Sequence, residues 1–194
     1  MFRTTPAKDV RPRRAERTLL LVAAACLMWV GWVHLEMYRF EARARADVLS
    51  PAALTDRLAT GAPIGTVEIP HVGLFAALAE GDDDSTLRVA VGHLPDTPLP
   101  WQSGNAAFAG HRDARFRALR DLRVGDQIVL STIRGRFVYR VDQMRIVEPS
   151  DVSVLEPTPE PTLTLITCYP FWFVGRAPQR YVVTATRQTA SGGD

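Results

Sequence analysis

Residues 18–35, TLLLVAAACLMWVGWVHL, form a run of 18 residues without a formal charge, in which only His34, near the end, can titrate. A run of that length and composition is close to the minimum that crosses a hydrocarbon core as a helix. Trp29 and Trp32 stand in its second half, where an interfacial aromatic belt is expected. Arg3, Lys8, Arg11, Arg13, Arg14 and Arg17 precede it, whereas Arg39, Arg43 and Arg45 after it are interleaved with Glu36, Glu41 and Asp47. This bias predicts a single-pass anchor in the cell membrane, with the N-terminus cytoplasmic and the remainder extracytoplasmic. A cleaved signal peptide would need a small-residue site after the run, and residues 29–38 offer no convincing one. Ala23-Ala24-Ala25-Cys26 faintly resembles a lipoprotein cleavage site, but the chain stays apolar for nine residues past Cys26.

With 194 residues, 46% of them hydrophobic, the chain fits one folded domain plus this appendage. A formal net charge of +2 is too weak to argue for nucleic acid, and no such partner is expected. Cys26 lies in the apolar run and Cys168 far from it, so a disulfide framework is not expected.

Five segments follow. Residues 1–17 read as a basic cytoplasmic tail and 18–35 as the anchor. Residues 36–60 read as a helical linker, with Leu49, Ala53, Leu54 and Leu58 spaced along it and Ser50-Pro51 as a helix start. Residues 61–187 read as a β domain and 188–194 as a disordered tail. Strands are expected at 65–69, 74–78, 105–109, 127–132, 136–147, 163–167 and 181–185, with a hairpin at Arg134-Gly135. Such spacing predicts a closed barrel or a sandwich. Within the domain, helix is expected only near 114–122.

Three residues at expected strand ends could carry chemistry together. Cys168 ends the run Thr164-Leu165-Ile166-Thr167, and a strand end beside a loop can present a side chain to a cleft. His111 follows the run ending Phe108-Ala109-Gly110, and Arg180 precedes Tyr181-Val182-Val183. Each alone reads more simply as structural: a buried thiol, a core histidine, a solvated strand-end arginine. Together they supply a nucleophile that is competent only as thiolate, a proton carrier, and a cation where an oxyanion would develop.

The stretch Leu163-Thr164-Leu165-Ile166-Thr167-Cys168 resembles the sortase strand that ends in the nucleophile. Ala109-Gly110-His111-Arg112-Asp113 resembles the segment carrying the sortase histidine, and Arg180 matches the sortase arginine. Cys168-Tyr169-Pro170-Phe171 with Ala177-Pro178-Gln179-Arg180 looks most like class D sortases. The resemblance covers roughly residues 62–187. It implies a closed eight-stranded β-barrel with short helices. It also implies a cysteine transpeptidase that cleaves a Leu-Pro-x-Thr-Gly-like sorting motif between Thr and Gly through a thioester. The implied partners are sorting-motif surface proteins or pilins and an amine acceptor such as a peptidoglycan precursor, beside the lipid bilayer. Cys168, His111 and Arg180 would be catalytic, Thr167 would contact substrate, and neither cofactor nor metal is called for. Arg176 is a rival in the same loop.

Other candidates read more blandly. His93 is expected to be structural. Glu80, Asp82, Asp83 and Asp84 could attract a hard cation but read as a solvated turn. Zinc through His111 and Cys168 lacks further ligands at the usual spacings. Glu148, Asp151, Glu156 and Glu160 dot a Pro-rich stretch expected to wall a substrate groove. A cysteine hydrolase or a membrane-anchored binding module with an inert thiol are the competing functional readings. A peptidoglycan cross-linking cysteine transpeptidase would show Cys-Arg, and here Tyr169 follows Cys168.

Overall fold

The computed structural model describes residues 14–47, 58–173 and 175–188. The chain divides into two units, residues 1–36 and 37–194.

Helix α1 (Arg14–Asp47) contains the whole apolar run and continues beyond it. Within the first unit its apolar side chains, among them Leu19, Leu27, Met28, Trp29 and Trp32, are exposed. Its best 18-residue window has a mean hydropathy of 2.0, which makes it long and apolar enough to cross a membrane. Residues 37–47 belong to the second unit, so the start of the expected linker is the end of α1. The expected helical positions Leu49, Ala53 and Leu54, the tail before residue 14 and the end beyond 188 lie outside the described residues.

The second unit is a closed barrel of eight strands. These are β1 (Pro63–Ile69), β2 (Leu74–Glu80), β3 (Val91–His93), β4 (Asn105–Ala109), β5 (Gln127–Thr132), β6 (Gly135–Val147), β7 (Thr162–Tyr169) and β8 (Gln179–Arg187). Around the barrel the order is β1-β2-β3-β4-β7-β8-β6-β5, closed by antiparallel pairing of β5 with β1. The pairs β2/β3 and β4/β7 are parallel and the others antiparallel. Closure leaves no unpaired edge. Inward positions recur with a period of two, so Ile64, Phe108, Ile128, Leu130, Leu163, Leu165 and Val183 meet in one core.

Two elements differ from the sequence expectation. Strand β3 is only three residues long and lies in the stretch around His93, too short for an alternating pattern to register. Helix α2 (Asp84–Val89) stands in the acidic stretch expected to be a solvated turn. Asp83 is its N-cap, accepting from the amides of Ser85 at 3.0 Å and Thr86 at 3.2 Å, from the Thr86 hydroxyl at 2.7 Å and from the Ser85 hydroxyl. The helix expected near 114–122 is present as the 3₁₀ helix Arg115–Asp121.

Glu80 turns inward from the same acidic stretch. Its Oε2 lies 2.8 Å from His93 Nδ1, and both side chains are buried. His93 Nε2 faces Pro98 O at 3.1 Å and Thr97 Oγ1 at 3.2 Å. The Thr97 hydroxyl itself donates to Leu94 O, so Nε2 must carry the hydrogen. His93 thus joins β2, β3 and the 94–104 connection.

Candidate active site

The site is assembled where β4, β7 and β8 end side by side. β7 and β8 are antiparallel, and Cys168 and Arg180 are direct partners across the ladder. Directly opposed residues point to the same face, with Cβ atoms roughly 5 Å apart. β4 runs parallel to β7, with Ala109 opposite Ile166, and the Gly110 amide still donates to Ile166 O at 3.1 Å. His111 follows that bond directly, so the His111 turn leaves β4 alongside the Cys168 end of β7. Of the three residues singled out by sequence, Cys168 and Arg180 are thus ladder partners, and the turn that carries His111 is tied to β7 beside them. His111 is exposed, whereas Cys168 and Arg180 are half-buried.

The His111 turn is fixed from both sides. The His111 carbonyl accepts from the amides of Ala114 at 3.3 Å and Phe116 at 3.2 Å, which starts the 3₁₀ helix. A Cβ on Gly110 would stand 2.8 Å from the Phe116 ring, so the glycine before the histidine is required by close packing. Thr167 Oγ1 donates to Gly110 O at 2.7 Å. Thr167 is 2% exposed and, one residue from Cys168, points to the opposite face of the sheet. The substrate contact expected of Thr167 is not supported by this placement; it ties β7 to the His111 turn instead.

Arg180 is oriented by its own loop, its Nη1 donating to Gln179 O at 3.0 Å and Ala177 O at 3.4 Å. Arg176 is exposed and lies outside the β7/β8 register. A groove of about 120 Å³ opens beside Arg180, two residues along β7 from Cys168. Ile166 and Val182 form its floor, Val152, Val154 and Leu155 one wall, and Arg180 one end, with Glu148 and Asp151 also lining it. The wall is the 148–161 connection, as expected, with a 3₁₀ helix at Val152–Leu155. Asn105 of β4 holds it down: its Nδ2 donates to Val154 O at 2.9 Å and Glu156 O at 3.3 Å, while its Oδ1 accepts from Thr164 at 2.7 Å. Asp151 caps the 3₁₀ helix. Hydrogen bonds from the Ser153 hydroxyl and amide hold its carboxyl below the usual carboxylate range.

Sequence reasoning missed two residues here. Asn105 reads as an ordinary strand start, and only its burial among polar partners shows its role. Arg112, adjacent to His111, reaches across to the connection between β7 and β8. Its Nη2 donates to Phe173 O at 2.6 Å and Gly175 O at 2.9 Å. Aromatic side chains crowd the same end of β7. Tyr169 stacks on Tyr181 at 6.3 Å between centroids, Phe171 meets Tyr181 edge-on at 5.2 Å, and Trp172 is 79% exposed. Among the described residues, no group of three or more His, Cys, Asp or Glu side chains could hold a metal ion.

The barrel is closed and eight-stranded, with the Cys168 thiol and the Arg180 guanidinium on paired strands and the His111 turn tied beside them. The family model for the sortase domain matches residues 67–188, and the chain belongs to the sortase family. Sortase D of Bacillus subtilis is 38% identical over 131 residues, 67% of this chain and 66% of that protein. Sortase SrtE1 of Streptomyces coelicolor is 33% identical over 129 residues, 57% of this chain and 37% of that protein. The chain thus spans just under two thirds of the first relative's length and little over a third of the second's. Among solved structures, a Clostridium perfringens Sortase D5 transpeptidase superposes with a TM-score of 0.67 at 26% identity, covering 78% of this chain and 99% of that one. Sortase C1 from Streptococcus suis gives a TM-score of 0.63 at 28% identity, covering 68% and 76%. Similarity to class D members agrees with the motifs around Cys168.

Proposed function

We propose that this chain is a membrane-anchored cysteine transpeptidase that cleaves a Leu-Pro-x-Thr-Gly-like sorting motif between Thr and Gly and passes the acyl group to an amine. The observation that carries the reading is the ladder register: Cys168 opposite Arg180 on one side, and the His111 turn beside β7 on the other. In this reading the substrate lies along the groove floored by Ile166 and Val182. The Cys168 thiolate attacks the threonine carbonyl carbon, and the carbonyl oxygen becomes an oxyanion facing Arg180. Charge-assisted hydrogen bonds from the guanidinium stabilise it. The C–N bond then breaks, His111 gives its proton to the departing glycine amine, and a thioester remains on Cys168. An incoming amine attacks the thioester and loses its proton to His111, and the thiolate leaves. The amine would belong to a peptidoglycan precursor or a pilin lysine, and the sorting motif to a surface protein or pilin. Thr167 serves in this proposal as a positioning residue through Gly110.

Sorting-motif peptide incubated with and without an added amine tests the reaction. Cleavage that shifts from free acid to amide as amine is added, and that vanishes in Cys168→Ala, is the expected result. Water-derived product alone, whatever the amine concentration, would make the enzyme a hydrolase. Substantial turnover by Cys168→Ala would remove the nucleophile assignment altogether.

For localisation we propose that α1 anchors the chain in the cell membrane with the basic N-terminus in the cytoplasm. A reporter fused after Asp194 is expected to be active only outside the cytoplasm; a cytoplasmic signal contradicts the orientation.

A further inference from the structure

We infer that Arg112 is a positioning residue that fixes the connection between β7 and β8 against the His111 turn and thereby sets Arg180 in place. The inference rests on the transpeptidase reading above. The connection runs between the nucleophile strand and the arginine strand, and its own backbone contributes a Phe173 N–H to Pro170 O bond of 3.2 Å. Two guanidinium groups grip the rest. Arg112 Nη2 holds Phe173 O at 2.6 Å and Gly175 O at 2.9 Å, and its charge lies 5.9 Å from the centre of the Phe173 ring. Further along, Ala177 O accepts from Arg180 Nη1 at 3.4 Å.

A continuous set of contacts results. Gly110 is tied to β7 through Ile166 O and the Thr167 hydroxyl, His111 follows, Arg112 follows His111, and Arg112 holds the loop that orients Arg180. The spacing between imidazole, thiol and guanidinium is thus set by three ties: the β4/β7 ladder, the β7/β8 ladder that pairs Cys168 with Arg180, and the Arg112 bridge. A solvated surface arginine would not be held this way. Arg112 is half-buried, and its Nη1 is fully buried without a hydrogen-bond partner. Burying an unpaired donor is unfavourable, so the bonds from Nη2 must outweigh that loss. Both bonds leave one nitrogen, so the planar fork is not what the bridge uses. A lysine ammonium, with three donors on one nitrogen, can make the same pair of bonds. Arg180 differs in the transpeptidase reading, where the fork is what would hold the reacting oxygen.

The test compares Arg112→Ala, Arg112→Lys, Arg180→Ala and the double variant Arg112→Ala/Arg180→Ala with the unmodified chain. Three quantities are read: peptide kcat and KM, the rate of Cys168 alkylation by a small neutral reagent, and the melting temperature. Misplacing a reacting group by an ångström lowers rates by up to about a hundredfold, so Arg112→Ala should lose on the order of tenfold to a hundredfold, mainly in kcat. Alkylation should change little, because no acyl oxyanion develops there. Arg112→Lys should recover most of the loss, and the double variant should be little worse than Arg180→Ala, because Arg112 acts through Arg180. The inference is overturned if Arg112→Ala turns over peptide like the unmodified chain. It is equally overturned if peptide turnover and alkylation fall together with the melting temperature, or if the losses in the double variant multiply. An unmodified chain that does not cleave the peptide, or an active Cys168→Ala, sinks the transpeptidase reading and this inference together. A silent Arg112→Ala in an otherwise cleaving, Cys168-dependent enzyme sinks the inference alone.

Discussion

Neighbouring residues on a strand point to opposite faces, and this alternation sorts the side chains around Cys168. Ile166 and Cys168 share the outer face, on which Ile166 lines the groove, whereas Leu165 and Thr167 face inward; Val182 and Arg180 lie opposite the first pair across the ladder. Arg180 and Cys168 therefore leave their strands on the same face of the sheet. If its task is to hold a developing oxyanion, Arg180→Ala should lower kcat/KM by about 10²–10³, the usual loss for one oxyanion donor. Arg180→Lys keeps the charge but not the fork, so recovery should be partial. Arg176 is exposed and off the ladder, and Arg176→Ala should be the milder variant. Steady-state kinetics on one peptide ranks them, and a more damaging Arg176→Ala would reverse the assignment.

Among the elements, the 148–161 connection, α2 and the turn before β5 each start on an ionised carboxylate that accepts hydrogen bonds. Asp151 accepts from the Ser153 hydroxyl and amide at the start of the Val152–Leu155 turn, which holds its carboxyl below the usual range. Asp83 at the start of α2 is held lower still, chiefly by the hydroxyls of Ser85 and Thr86. At Asp126 burial pushes the carboxyl upward, but the hydrogen bonds from His71 and the Arg123 amide outweigh it and leave it low. Each group binds its proton more weakly folded than unfolded. The stability it contributes is complete above the unfolded carboxylate value of about 4 and fades as pH falls through the folded value. The melting temperature should therefore be flat near neutrality and decline below about pH 4. Asp151→Asn should show a shallower acid decline than the unmodified chain. An unchanged acid slope in that variant would mean that Asp151 contributes nothing to it.

At the scale of the whole molecule, the unit that holds the barrel begins before the first strand does. Ala44 is fully buried beside Ala77, Ala79 and Ala90, and Arg45 lies 4.3 Å over the Phe75 ring. Glu41 Oε1 approaches Arg115 Nη2 at 2.6 Å, an ion contact without hydrogen-bond alignment, since Oε1 has no hydrogen-bond partner. Arg115 opens the 3₁₀ helix that starts on the His111 carbonyl. A fragment starting at Met37 should therefore be more stable than one starting at Ser50. Loss of a partner for a buried charged group costs roughly 2 kcal/mol, enough to lower the melting temperature of a domain this size by several degrees. Equal melting temperatures for the two fragments would show that residues 37–47 add nothing.

The long apolar helix and most strands could be read from the sequence, and Cys168, His111 and Arg180 singled out as candidates, because their signals are local. An uninterrupted apolar run, a period of two and a motif before Cys168 need no knowledge of what lies across the sheet. The sequence also marked the acidic stretch at 80–84 but not its use, because capping and buried hydrogen bonding depend on where Glu80 meets His93 and where Asp83 meets the α2 amides. β3 was hidden because its three residues are strand only through pairing with β2 and β4. Barrel closure, the inward turn of Thr167, the clasp of Asn105 on the groove wall and the bridge from Arg112 all join residues distant in the chain. Their partners are chosen by ladder register and packing, which local sequence does not encode, and so the tertiary structure alone decided them.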